Sequence, residues 1–114
     1  VESAADLNAR ADAVAALYVE VALLTSDALT GTNVADGGDP QAVTYTPAGD
    51  EGPTSDHAPI DGLAWSGVND FTLTEVATHL GLLVGGVVVR TVELPTRVGP
   101  GPVPFVHGIG PAGL

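Results

Sequence analysis

The chain has no cysteine and no lysine, and only five aromatic side chains: Tyr18, Tyr45, Trp65, Phe71 and Phe105. Without cysteine there can be no disulfide, no thiolate nucleophile and no Cys-ligated zinc or iron–sulfur centre. That fits synthesis in a reducing compartment. Without lysine, a Schiff base or a Ser-Lys dyad is excluded. Arg10, Arg90 and Arg97 are the only permanent cations, set against 14 acidic residues, for a formal charge of −11. Nucleic-acid phosphates and anionic membrane surfaces demand clustered Lys and Arg, so both are excluded as partners. The acidity reads first as a solvated, self-repelling surface. A halophilic origin would also give acidity, but charged residues reach only 15%, low for a protein kept hydrated in concentrated salt.

Long apolar runs are missing too. Leu80 to Val89 is the longest, about ten residues broken by glycines, against the ~20 that a bilayer-spanning helix needs. The opening residues, Val1-Glu-Ser-Ala-Ala-Asp6, lack the basic region and apolar stretch of a signal peptide. The absence of an initial Met suggests a processed or trimmed terminus.

What is present is punctuation and β pattern. Gly and Pro together number 24 of 114 residues, which breaks the chain into short elements and argues against a helical bundle. Hydrophobic residues at 45% are too many for a disordered chain. The densest signal is Val76–Val84, Gly85-Gly86, Val87–Leu94: two β-branched runs joined by a Gly-Gly pair that permits the positive φ angles of a tight hairpin.

The remainder can be ordered around this hairpin. Ser3 to about Leu17 predicts a helix, with Ser3 as N-cap, Asp6 three residues later, and Leu7, Ala11, Val14 and Leu17 as a narrow apolar stripe. Tyr18–Thr25, Ala42–Thr46, Ile60–Ser66 and Phe71–Thr74 predict strands. Ser26–Gln41 and Ala48–Pro59 read as long polar loops. After Leu94 come five prolines; only Val103–His107 suggests a strand there, placed at an edge by Pro104. The expected fold is mostly β, an antiparallel β-sandwich of five to seven short strands preceded by one N-terminal helix. As one domain it divides into a helix (1–17), a β core (18–94) and a Pro/Gly-rich tail (95–114).

Chemistry is sparse. Gly108, Gly110 and Gly113 spell G-x-G-x-x-G, but the chain stops at Leu114, so no helix follows to receive a pyrophosphate. Asp50, Glu51, Asp56 and Asp61, and likewise Asp36 and Asp39, lack the ordered spacing of a calcium loop and read as turn acids. His57, His79 and His107 are scattered, with no local His-x-x-x-His pair to suggest zinc. His79 lies in an apolar strand and reads as a core or interface histidine. Ser55-Asp56-His57 holds three triad residue types, but neighbours in sequence cannot generally converge in triad geometry. Expected catalytic, cofactor-binding and metal residues are therefore none.

The order of parts is itself informative. An Ala-rich helix runs into "LLTSD"; then come "GTNVADGGDP", "QAVTYTPAG", "FTLTEVATHLGLL", a glycine turn and a strand ending "VELP". This resembles a family of small tailed-phage virion structural proteins, variously tail-fibre-like or capsid-decoration proteins. They share the helix, a "GG…Y…AVT" segment and a "V-T-H-x-G-L-W" strand. Ala77–Leu83 matches that strand, with Leu83 at the tryptophan position, and Gly37-Gly38 with Gln41–Thr44 matches the earlier segment. The resemblance implies a non-enzymatic virion protein, made in the bacterial cytoplasm, that stabilises a capsid by binding many equivalent sites. Its partner would be the major capsid protein, or a tail protein, with a homo-oligomer possible. The alternatives are a tail-associated protein and a host-surface or carbohydrate-binding β-sandwich module. Loops 26–41 and 48–59 and the tail are the expected contact segments.

Overall fold

A computed structural model describes residues 1–113. It is mostly β, with one N-terminal helix and antiparallel pairing throughout, as expected. The described elements are α1 (Ala4–Ala15), β1 (Glu20–Leu24), β2 (Gln41–Ala42), β3 (Ala64–Trp65), β4 (Asn69–Leu73), β5 (Ala77–Val84), β6 (Val87–Val98), β7 (Gly101–Phe105) and β8 (Gly108–Ile109). Among the described residues no helix is long and apolar enough to cross a membrane. Two compact units emerge.

The first unit comprises Val1–Leu17, Val43–Val68 and the described residues from Val106 on. Ser3 caps α1 by accepting from the Asp6 amide at 3.1 Å, so one of the unpaired amides of the first turn is satisfied. Of the expected apolar stripe, Ala11 is buried and Leu7 and Val14 are half-buried, with Ala15 buried beside them; Leu17 lies past the helix end and is exposed. Small side chains let the backbone come close to its neighbours, and polar groups one turn apart fasten them. Asn8 Oδ1 accepts from the Gly62 amide at 2.6 Å and Asp12 Oδ1 from the Ala48 amide at 2.7 Å. Loop 48–59 is thus tethered at its start rather than hanging free. β3 pairs with β8, Ala64 opposite Ile109.

The second unit comprises Tyr18–Ala42 and Asn69–Phe105. Its main sheet has the order β2-β1-β5-β6. Gly85 and Gly86 have φ of 57° and 80°, so the Gly-Gly turn forms the β5–β6 hairpin as the sequence predicts. Val21, Ala22, Leu23 and Leu24 are all fully buried, so both faces of β1 are covered. On one face Ala22, Leu24, Leu83 and Val88 pack together with Val34. Burying such a side chain is worth roughly 1.5–3 kcal/mol, which makes this double-sided strand the energetic centre of the unit.

The loop expected over 26–41 is built into this unit. Leu23 donates to the Gly38 carbonyl and accepts from Ala35, and the Thr74 amide donates to Asp36. Gly37 and Gly38 are forced by this approach. Gly37 has φ +87°, and a Cβ there would overlap the Thr72 carbonyl; one on Gly38 would lie 2.7 Å from the Leu23 oxygen. Asn33 holds the neck of the loop through Nδ2 bonds to the Ser26 and Ala28 carbonyls.

The tail is structural as well. Pro95–Val98 belongs to β6, a cis Gly99–Pro100 bond follows, and β7 pairs along β4. Pro102 and Pro104 oppose Thr72 and Asp70. Proline has no amide hydrogen, so Gly101, Val103 and Phe105 supply the bonds to β4, and the outer edge of β7 lacks donors at two successive positions. That protects the edge against further strand pairing.

Candidate functional site

The β5–β6 hairpin carries a groove that brings ionisable side chains together. Ala77 pairs with Val98, but His79 already pairs with Glu93. Residues 94–97 therefore have only Thr78 opposite them and swing out of the ladder as an enlarged bulge. Pro95, which cannot donate to a ladder, sits within it. The displaced segment opens a groove of about 380 Å3 lined by Thr78, His79 and residues 93–97.

Three ionisable side chains meet in this groove: His79, Glu93 and Arg97. The Thr78 hydroxyl lies 3.1 Å from the Thr25 carbonyl and 2.7 Å from His79 Nδ1. The Thr78 hydroxyl can donate to the Thr25 carbonyl, and its hydrogen bond with His79 Nδ1 takes its direction from the histidine tautomer. Thr78 thus holds the imidazole ring by its Nδ1 edge. Arg97 and Glu93 are exposed, and neither forms an ion pair with a described residue. The groove is lined by an imidazole, a carboxylate and a guanidinium. It can bind; it has no activated nucleophile.

His79 was legible as a strand histidine, but Glu93 and Arg97 were not singled out. The usable signal was Pro95 inside a strand pattern, which marks a bulge.

The other sequence candidates fall elsewhere. In the first unit, His57 stacks edge-on to Trp65 with ring centroids 4.7 Å apart. Its Nδ1 faces both the Thr54 hydroxyl at 2.5 Å and Asp56 Oδ1 at 3.5 Å. A triad needs its acid and its nucleophile on opposite ring nitrogens, so this is turn chemistry, and it uses Thr54 instead of Ser55. The hydrogen bond from Thr54, then that from its own backbone amide, holds the Asp56 carboxyl below the ordinary range.

His107 is a buried structural residue of the first unit. Its Nε2 lies 2.7 Å from the Tyr45 hydroxyl, its amide donates to the fully buried Ser66 hydroxyl, and its carbonyl accepts from the Ser66 amide. Burial lowers its pKa from 6.5 to about 4. The glycines of G-x-G-x-x-G close on themselves: Gly110 and Gly113 exchange amide–carbonyl bonds, so these donors are not available to a phosphate. Asp36 serves the loop, with its carboxylate accepting from the Thr74 hydroxyl and its amide donating to Glu75. Among the described residues no three His, Asp or Glu side chains stand where they could hold a metal ion.

A second surface feature lies at the hairpin end. Val84 is 43% exposed and its partner Val87 60%; Val19, whose amide bonds to Leu83, is 50% exposed. Val89 is the unpaired residue of a second bulge, between the Leu82–Arg90 and Leu83–Val88 pairs, and it too is exposed.

Comparison with protein-family models, curated proteins and solved structures finds no match to this chain.

Proposed function

We propose that the protein is a non-enzymatic structural component of a tailed-phage virion, a capsid-decoration or minor capsid protein that works by contact. The observation that carries this reading is the group of exposed valines, Val19, Val84, Val87 and Val89, around the turn end of the β5–β6 hairpin, next to the buried Leu80, Leu82 and Leu83. Apolar side chains held on a rigid strand pair lose little conformational freedom when they dock, so such a tip favours adhesion. The −11 charge keeps free copies apart before they bind. The likeness of Ala77–Leu83 and the Gly37-Gly38 loop to the virion family supports the same role, and the major capsid protein is the partner it implies.

Shell stabilisation then follows from repetition. A contact of modest strength, made at many equivalent sites on a closed lattice, resists the loss of any one subunit. Loop 26–41 and the tail take part in the protein's own fold, so the hairpin tip replaces them as the contact surface.

The reading is tested by adding the purified chain back to capsids that lack it. Saturation at a fixed number of copies per capsid, with a raised temperature of shell disruption, is the expected result. Binding only to tails would move the protein to the tail, and binding to neither would end the proposal.

A further inference from the structure

We infer that the groove beside the 94–97 bulge is a binding site for a small carboxylate that also carries a hydrogen-bond donor, such as a hydroxycarboxylate or a uronic acid. This goes beyond the virion reading and does not depend on it. In a chain with three arginines and 14 acids, an arginine would ordinarily find a carboxylate. Arg10 does, reaching Glu2 with two bonds of 2.7 and 2.6 Å. Arg97 forms no ion pair with a described residue, although Glu93 lines the same groove. A guanidinium fork held apart from its neighbouring acid is open to a carboxylate brought by a ligand.

The other lining groups set the rest of the ligand. Thr78 holds the His79 ring through Nδ1, and the Glu93 carboxylate, an acceptor, lines the same groove as Arg97. A carboxylate acceptor near a guanidinium repels a simple anion but complements a carboxylate that has a hydroxyl nearby. A volume of about 380 Å3 lies at the small end of the ~300–1,000 Å3 range of small-ligand sites and holds a monosaccharide or a short hydroxy acid. The groove contributes no aromatic platform, which points to polar recognition in place of sugar stacking.

The test is a titration of the 15N-labelled full chain with D-galacturonate, L-lactate, galactose and acetate, followed by amide chemical shifts. The inference expects saturable shifts confined to residues 78–79 and 93–97 with galacturonate, lactate or both. Which of the two binds more tightly distinguishes a uronic acid from a free hydroxy acid. Galactose, lacking the carboxylate, and acetate, lacking the donor, should bind at least tenfold more weakly. Arg97→Gln, an exposed change, should weaken binding at least tenfold while the spectrum elsewhere is unchanged. No saturable shift with galacturonate or lactate overturns the inference. So does acetate binding as tightly as either, or Arg97→Gln binding undiminished.

Discussion

The Tyr45 hydroxyl and His107 Nε2 lie 2.7 Å apart, and the two rings meet edge-on with centroids separated by 5.4 Å. This pair joins chain segments 62 residues apart in sequence and fixes where the C-terminal strand can sit. Because His107 is buried, its protonation is coupled to folding.

Burial lowers the folded-state pKa of His107 from 6.5 to about 4. Between those values the unfolded chain binds a proton that the folded chain refuses, so stability falls as pH drops through that window. The loss is full by about pH 4 and totals about 3 kcal/mol. Urea unfolding at pH 7.5, 5.5 and 4 should show it, and His107→Gln should remove most of this histidine's share of the slope.

Tyr45→Phe deletes one partner of a part-buried hydrogen bond to a buried histidine and should cost about 1–3 kcal/mol. Chemical denaturation at pH 7.5 measures it. A loss below about 0.5 kcal/mol would mean that the Tyr45–His107 bond contributes little.

Gly37→Ala should be among the most damaging single substitutions, at about 3 kcal/mol or more, because the added Cβ meets the Thr72 carbonyl and φ is +87°. Gly85→Asn is the contrast. Its φ of 57° suits asparagine and nothing lies within 4 Å of an added Cβ, so the cost should stay below about 1 kcal/mol. Thermal unfolding of the two variants side by side decides the matter.

Val84→Lys with Val87→Lys should leave the melting temperature within a few degrees of the parent, since both side chains are exposed. Capsid binding should fall more than tenfold. Unchanged binding would remove the hairpin tip as the contact surface.

The local signals were the legible ones. Ser3 capped the helix, and Gly85-Gly86 turned the hairpin, because each depends on a few neighbouring backbone angles. What escaped prediction depends on distant partners. An edge strand was legible over Val103–His107, but its true span, Gly101–Phe105 with Pro102 inside it, is set by the register that β4 supplies. Gly37-Gly38 read as a surface loop because the Leu23 and Thr72 backbones that press on it come from elsewhere in the chain. The groove was hidden for the same reason: His79 and Glu93 are paired by hairpin register, and the 94–97 bulge separates that pair from Ala77–Val98.

The central claim, that this chain acts as a repeated adhesive part of a particle, is tested most directly by quantitative mass spectrometry of phage particles purified from the source that encodes it. The account predicts copies in the tens to hundreds, in a fixed ratio to the major capsid protein. Particles that contain none of the chain would contradict it.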